Sequence, residues 1–145
     1  MKIGELAQKA GCKVETVRYY ELQGLLPEPG RSAGNYRQYD AGHLERLRFI
    51  RNCRSLEMSL AEIAELLGLR DCTGQDCARV NDILAEHIGH VSQRIAQLRD
   101  LRAQLTALHR RCQENQAVEH CAILAGLAAP RPGPDKPPHV PGAHS

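Results

Sequence analysis

The chain has 145 residues, 42% of them hydrophobic but only 3% aromatic, and it lacks Trp. That suffices for one small core plus an extension, and the low aromatic share argues against an aromatic-rich β-sandwich. Nineteen Lys and Arg face seventeen Asp and Glu, yet residues 1–55 carry net +4 and residues 56–145 net −2, so only the front half suits a polyanion. No apolar run is long enough to cross a bilayer and no signal peptide opens the chain, so a cytoplasmic protein without a membrane partner is expected. In a reducing compartment the six Cys point to metal ligation or redox sensing rather than to a disulfide frame.

Ile3, Leu6, Ala7 and Ala10 recur at the spacing of one helix face. Gly11-Cys12-Lys13 interrupts them, and a second short helix is predicted from Val14 to about Leu22, closed by Gly24 and stopped by Pro27 and Pro29. Two short helices joined by a Gly-containing turn make a helix-turn-helix pattern. Gly30 to Gly34 then forms a Gly-flexed loop leading into an edge-strand-like Asn35 to Tyr39, which together predict a β-wing. Asp40 is placed to cap a third helix carrying Leu44, Leu47, Ile50 and Cys53. Ser59 with Glu62 is a capping box for a fourth, with Leu60, Ile63, Leu66 and Leu67 on its apolar side.

From Asp82 to Cys112 there is no Pro, and the apolar positions Leu84, Ile88, Val91, Ile95 and Leu98 alternate mainly by four and three. After one three-residue stammer the stripe continues through Leu101, Leu105, Leu108 and Cys112. So narrow a stripe on a lone helix would stay wet, so a partner helix, and hence a homodimer, is expected. Residues 129–145 are too rich in Pro and too poor in apolar side chains to pack, and read as a disordered Pro/His tail.

Thr16, Arg18, Tyr19 and Tyr20 on the second helix and Arg31, Asn35, Tyr36, Arg37 and Tyr39 on the wing are candidate contacts to double-stranded DNA. Arg neutralises phosphate, Tyr hydroxyls donate to phosphate oxygens, and Asn, Thr and Arg reach base edges in the major groove. Val17 and one ring of the Tyr19/Tyr20 pair are expected to pack inward. Arg51 and Arg54 suit either phosphate contact or an ordinary solvated face.

The segments Lys2-Ile-Gly-Glu-Leu-Ala7, Glu15-Thr-Val-Arg-Tyr-Tyr-Glu21, Gly24-Leu-Leu-Pro27 and Gly34-Asn-Tyr-Arg-Gln-Tyr39 occur in that order. Leu47 to Ile50 and Met58 to Ile63 continue the pattern. In these segments the chain resembles the MerR family of transcription regulators, over residues 1 to about 125. The resemblance implies a mainly α fold: a winged helix-turn-helix, then a long antiparallel coiled-coil dimerisation helix and a short C-terminal metal-binding loop. It divides the chain into a DNA-binding domain (1–70), a linker and dimerisation helix (71–112), a metal-binding loop with a short helix (113–128), and the tail (129–145). It further implies two copies on a palindromic promoter whose overlong spacer is bent and untwisted when effector binds. That deformation brings the promoter elements into register for RNA polymerase, most naturally at a metal efflux gene.

Cys77 and Cys112 stand 35 residues apart, roughly 50 Å on a continuous helix, so one chain cannot bring both to the same ion. In an antiparallel pair of helices, Cys77 of one subunit meets Cys112 of the other, and Cys121 can return on a short loop as a third thiolate. Thiolate ligation selects soft or borderline ions: cadmium, lead, mercury, zinc or copper(I). His120, Glu119 or water can complete a fourth position, and His139 and His144 in the tail are possible auxiliary ligands. Cys12 and Cys53 read as small buried hydrophobes, Cys72 is ambiguous, and His87, His90 and His109 read as solvated or helix-face residues.

Metal-sensing members of the family place three cysteines in the pattern of Cys77, Cys112 and Cys121. Copper-type members carry Ser at the first position, and the iron–sulfur sensor's four-cysteine cluster is missing here. Arg51-Asn-Cys-Arg-Ser-Leu-Glu-Met58 resembles the cadmium- and lead-responsive branch. The expected effector is therefore Cd(II) or Pb(II), with Hg(II) or Zn(II), or thiol oxidation instead of metal, as alternatives. An enzyme is not expected: no Ser/His/Asp set, phosphate-cradling Gly loop or His-Glu-x-x-His helix is present.

Overall fold

The structure, a computed structural model, describes residues 1–72, 74 and 76–130. It divides into two compact units, Met1–Val80 and, among the described residues, 81–130. The tail expected to be disordered lies almost wholly outside the described residues.

The first unit opens with α1 (Ile3–Ala10) and α2 (Val14–Leu22). Both helices end on a left-handed glycine. Gly11 (φ 71°) donates to the Gln8 carbonyl at 3.1 Å while Cys12 donates to Ala7 at 2.9 Å. Gly24 (φ 75°) donates to Glu21 and Leu25 donates to Tyr20, each at 3.0 Å. These paired bonds satisfy carbonyls that a helix end leaves orphaned, and the positive φ is why glycine stands there. The wing is a two-stranded antiparallel ladder, β1 (Gly30–Arg31) and β2 (Arg37–Gln38), with Gly30 opposite Gln38 and Arg31 opposite Arg37. Asn35 (φ 63°) supplies the reversal at its tip.

Helix α3 (Ala41–Ser55) starts at Asp40, whose carboxylate accepts the His43 amide at 3.0 Å while His43 Nδ1 accepts the Asp40 amide at 3.2 Å. Helix α4 (Leu60–Asp71) starts with the Ser59–Glu62 capping box, closed by bonds of 3.0 and 2.9 Å. Between these helices and α1–α2 sits a core in which Leu6, Val17, Leu47, Ile50 and Ile63 are fully buried. Deleting any one of these Leu or Ile side chains to Ala costs on the order of 2–5 kcal/mol, a large share of a small domain's stability. Ion pairs Arg46–Asp71 (3.0 Å) and Arg70–Glu45 link α3 to the C-terminal end of α4.

Helix α5 (Ala78–His109) is 32 residues long, about 48 Å at 1.5 Å per residue. The Asp76 carboxylate accepts the Ala78 amide at 3.0 Å, which lets the helix begin four residues before the predicted Asp82. It also ends three residues short of Cys112, so neither Cys77 nor Cys112 lies on the helix; they flank it. Leu84, Ile88, Val91, Ile95, Leu98, Leu101 and Leu105 are each 38–64% exposed. His87 departs from the solvated reading, being only 6% exposed. After a single 3₁₀ turn (Val118–His120), helix α6 (Ala122–Ala128) packs back near the end of α5. A Cβ at Gly126 would meet the movable Arg111 guanidinium and Leu108 at 3.2 Å, which places this turn of α6 against the end of α5.

Candidate functional site

Helix α2 and the wing present one polar surface. Arg18 and Tyr19 are exposed on α2, and Thr16 is half-buried. Tyr20 is buried with Val17, so it is the Tyr20 ring of the pair that packs inward. Arg31, Asn35, Tyr36 and Arg37 are exposed on the wing, with Lys2 placed 5.8 Å over the Tyr36 ring. The expectation that Tyr39 is a surface contact is corrected. It is 2% exposed, stacks edge-on against His43 at 5.3 Å, and donates its hydroxyl to the Glu21 carboxylate. Burial, then the bond to Glu21, pushes that hydroxyl's pKa up and keeps it a donor.

Arg51 donates to the Ala10 carbonyl, and Arg54 donates to the Met58 carbonyl at 2.6 Å. Both half-buried guanidiniums therefore tie turns together, between α1 and α2 and between α3 and α4. With Lys13, Thr16 and Tyr20 they line an open cleft of about 530 Å³ at the start of α2. Burial raises the Cys12 thiol there, with Arg51 opposing, and raises Cys53 as well. Cys53 is buried as expected, whereas Cys12 is only half-buried. Glu21 is the residue that sequence reasoning passed over: it accepts Arg37 Nη1 at 3.0 Å as well as the Tyr39 hydroxyl. The available signal was strand alternation, which puts positions 37 and 39 on one side of β2.

The second constellation is sulfur. Cys112 and Cys121, both half-buried, come together in the second unit, with Cys112 close enough to influence the Cys121 thiol and its own Sγ–H donated to the Glu114 carbonyl at 3.3 Å. Cys121 occupies the position just before α6, and the backbone amides of Leu124 and then Ile123 hold its thiol pKa below the usual value, with Cys112 adding to the effect. Two adjacent thiols, one biased toward thiolate, fit a soft cation and suit hard ions poorly. Within this unit no third Cys, His, Asp or Glu joins the pair among the described residues. His120 and Glu119 are exposed on the 3₁₀ turn. Cys77 is exposed in the first unit, at the rim of a cleft of about 260 Å³ lined by Phe49, Leu66 and Val80. Cys72 is exposed, and His139 and His144 lie outside the described residues.

Two family models match, "MerR HTH family regulatory protein" over residues 1–69 and "MerR, DNA binding" over residues 44–108. The HTH-type transcriptional regulator ZntR homolog of Haemophilus influenzae is 50% identical over 115 residues, covering 79% of this chain and 85% of that protein. The transcription regulator PbrR691 from Ralstonia metallidurans CH34, solved in complex with lead(II), superposes with a TM-score of 0.81 at 49% identity, over 88% of this chain and 99% of that one. The regulator MerR from Bacillus megaterium MB1, solved with mercury(II), gives a TM-score of 0.71 at 34% identity, over 88% and 98% of the two chains.

Proposed function

This chain belongs to the MerR family of helix-turn-helix regulatory proteins, and from that premise we propose that it is a homodimeric, metal-responsive transcriptional activator answering to Cd(II) or Pb(II). It acts on DNA as a regulator and not as an enzyme, in keeping with its relatives. The observation that carries the metal assignment is the Cys112–Cys121 pair, with Cys121 biased toward thiolate before α6. Cys77 of the partner subunit supplies the third sulfur, since α5 separates the two ends of one chain by about 48 Å. His120 or Glu119 is available as a further ligand. Likeness to a lead(II)-bound regulator favours the larger soft divalent ions, and likeness to a mercury(II)-bound one keeps mercury as the competing effector.

On the DNA side, Arg18, Tyr19 and Thr16 of α2 meet the major groove, and Arg31, Asn35 and Tyr36 of the wing meet the flanking backbone. Two copies read a palindrome. Metal changes transcription only through its different affinity for two arrangements of the dimer on DNA, the second of which bends and untwists the promoter for RNA polymerase. The test is Cys112→Ser in a reporter strain challenged with cadmium, lead, mercury and zinc salts. Operator binding is retained and induction is lost. Normal induction by any of the four metals in that variant overturns the thiolate site, and wild-type protein induced by mild oxidant but by none of the metals points to disulfide sensing instead.

A further inference from the structure

We propose that Glu21 is a positioning residue for DNA recognition, holding the wing at a fixed angle to helix α2 at the cost of charge attraction to the duplex. This rests on the reading that α2 and the wing face DNA. Glu21 lies in the last turn of α2, with its side chain only 11% exposed. One carboxylate oxygen takes Arg37 Nη1 at 3.0 Å and the other takes the Tyr39 hydroxyl. Residues 37 and 39 alternate with 36 and 38 along the segment that contains β2, so both bonds come from the same side of it. The ladder partner of Arg37 is Arg31, which carries the constraint to β1 and to the tip bearing Asn35 and Tyr36. Tyr39 is anchored in turn by its ring contact with His43, whose Nε2 lies 3.2 Å from the Pro27 carbonyl.

Electrostatics alone makes this arrangement unfavourable for a protein that binds phosphates. Glu21 adds a negative charge between two DNA-facing elements and neutralises Arg37, one of the few exposed cations on the wing. Buried Tyr39 and the Met1 bonds to its carbonyl (2.6 Å) and amide (2.8 Å) fix the base of the wing, but beside it Arg18, Glu21 and Arg37 line an open groove of about 450 Å³, where the carboxylate bridges α2 to Arg37. The carboxylate's contribution is therefore geometric. Two bonds to one strand define an orientation, and side chains on α2 and on the wing reach their base and phosphate partners together only at one orientation.

The sign of one substitution separates the two views. The full-length Glu21→Gln and Tyr39→Phe variants are titrated against two labelled duplexes: one selected from random sequence by the wild-type protein, and a scrambled duplex of the same length. Arg18→Ala is titrated alongside. Glu21→Gln is expected to bind the selected duplex at least about tenfold more weakly, the scale of one lost base contact, while binding the scrambled duplex as well as or better than wild type. Its salt slope on the scrambled duplex steepens by about one per freed arginine. Tyr39→Phe, which leaves Arg37 paired, loses part of the same discrimination, and it carries the test if Glu21→Gln fails to fold by circular dichroism. Equal changes on both duplexes, or tighter binding of the selected one, overturn the proposal. If Arg18→Ala binds the selected duplex like wild type, the underlying reading of α2 has failed, and that result is visible independently of the Glu21 data.

Discussion

Replacing Leu98 with Ala probes the proposed dimer directly, because Leu98 is central in the apolar stripe of α5 and 52% exposed. The substitution removes three carbon groups, worth about 0.8 kcal/mol each when fully buried, or roughly 2.4 kcal/mol. About half of that surface is left for a partner helix to cover, so the loss is about 1.2 kcal/mol per chain and about 2.4 kcal/mol per two-fold dimer. That corresponds to a weakening of about 60-fold in the dimer dissociation constant, measurable by sedimentation velocity over a concentration series. The control is Gln93→Ala, which removes an exposed polar side chain across the helix from the stripe. A Leu98→Ala dissociation constant within about twofold of wild type, or equal effects of the two substitutions, refutes the assignment of this face to self-association.

Three further outcomes follow from local geometry. Removing the α4 cap with Ser59→Ala lowers stability by about 1 kcal/mol, read as a lower denaturant midpoint with an unchanged slope. The Asp40 carboxyl is held below its ordinary value of 3.8 by the His43 amide and side chain. The stability it contributes is therefore fully present above that pH and is lost as pH falls through the depressed folded value; the gap between wild type and Asp40→Asn in thermal melts closes only in that acid range. Alkylation of Cys121 by iodoacetamide rises with pH at a midpoint below the ordinary thiol value of 9.0, while Cys53, buried and raised, reacts later or not at all. Peptide mapping across a pH series distinguishes them, and identical profiles would remove the thiolate bias from the proposed metal site.

Features encoded by a few neighbouring residues were legible in the sequence. Gly11, Gly24, Asp40 and the Ser59–Glu62 pair each act within one helix turn, and each stands where the spacing placed it. The apolar period of α5 was equally plain, because a helix repeats its faces whatever surrounds it. Tyr39 was misjudged because a tyrosine beside arginine fits a wet surface and a core rim equally well. What turns Tyr39 inward is non-local: Glu21 on α2, eighteen residues earlier, and Met1 at the chain start both bond to it. For His87, read as either solvated or on a helix face, the structure selects the helix face. It sits three residues after Leu84, on the border of the stripe, where the period allows burial but cannot require it. The nine-residue separation of Cys112 and Cys121 allowed their meeting, but the amides that bias Cys121 depend on where α6 begins, and no composition signal marks that start.

A site assembled from thiols of two chains has a thermodynamic consequence that a single-chain site lacks. If Cys112 and Cys121 share an ion with Cys77 of the partner subunit, metal affinity depends on how the two subunits are arranged, and so on anything else that biases that arrangement. Promoter DNA is such a bias, because two half-sites fix the separation of two DNA-binding units. Linkage then requires reciprocity: the factor by which metal favours the distorted operator complex is the factor by which distorted operator tightens the metal. With couplings typically of about 1–3 kcal/mol, that factor is roughly 5- to 150-fold. The regulator on its promoter and the regulator free in solution would then have different metal thresholds.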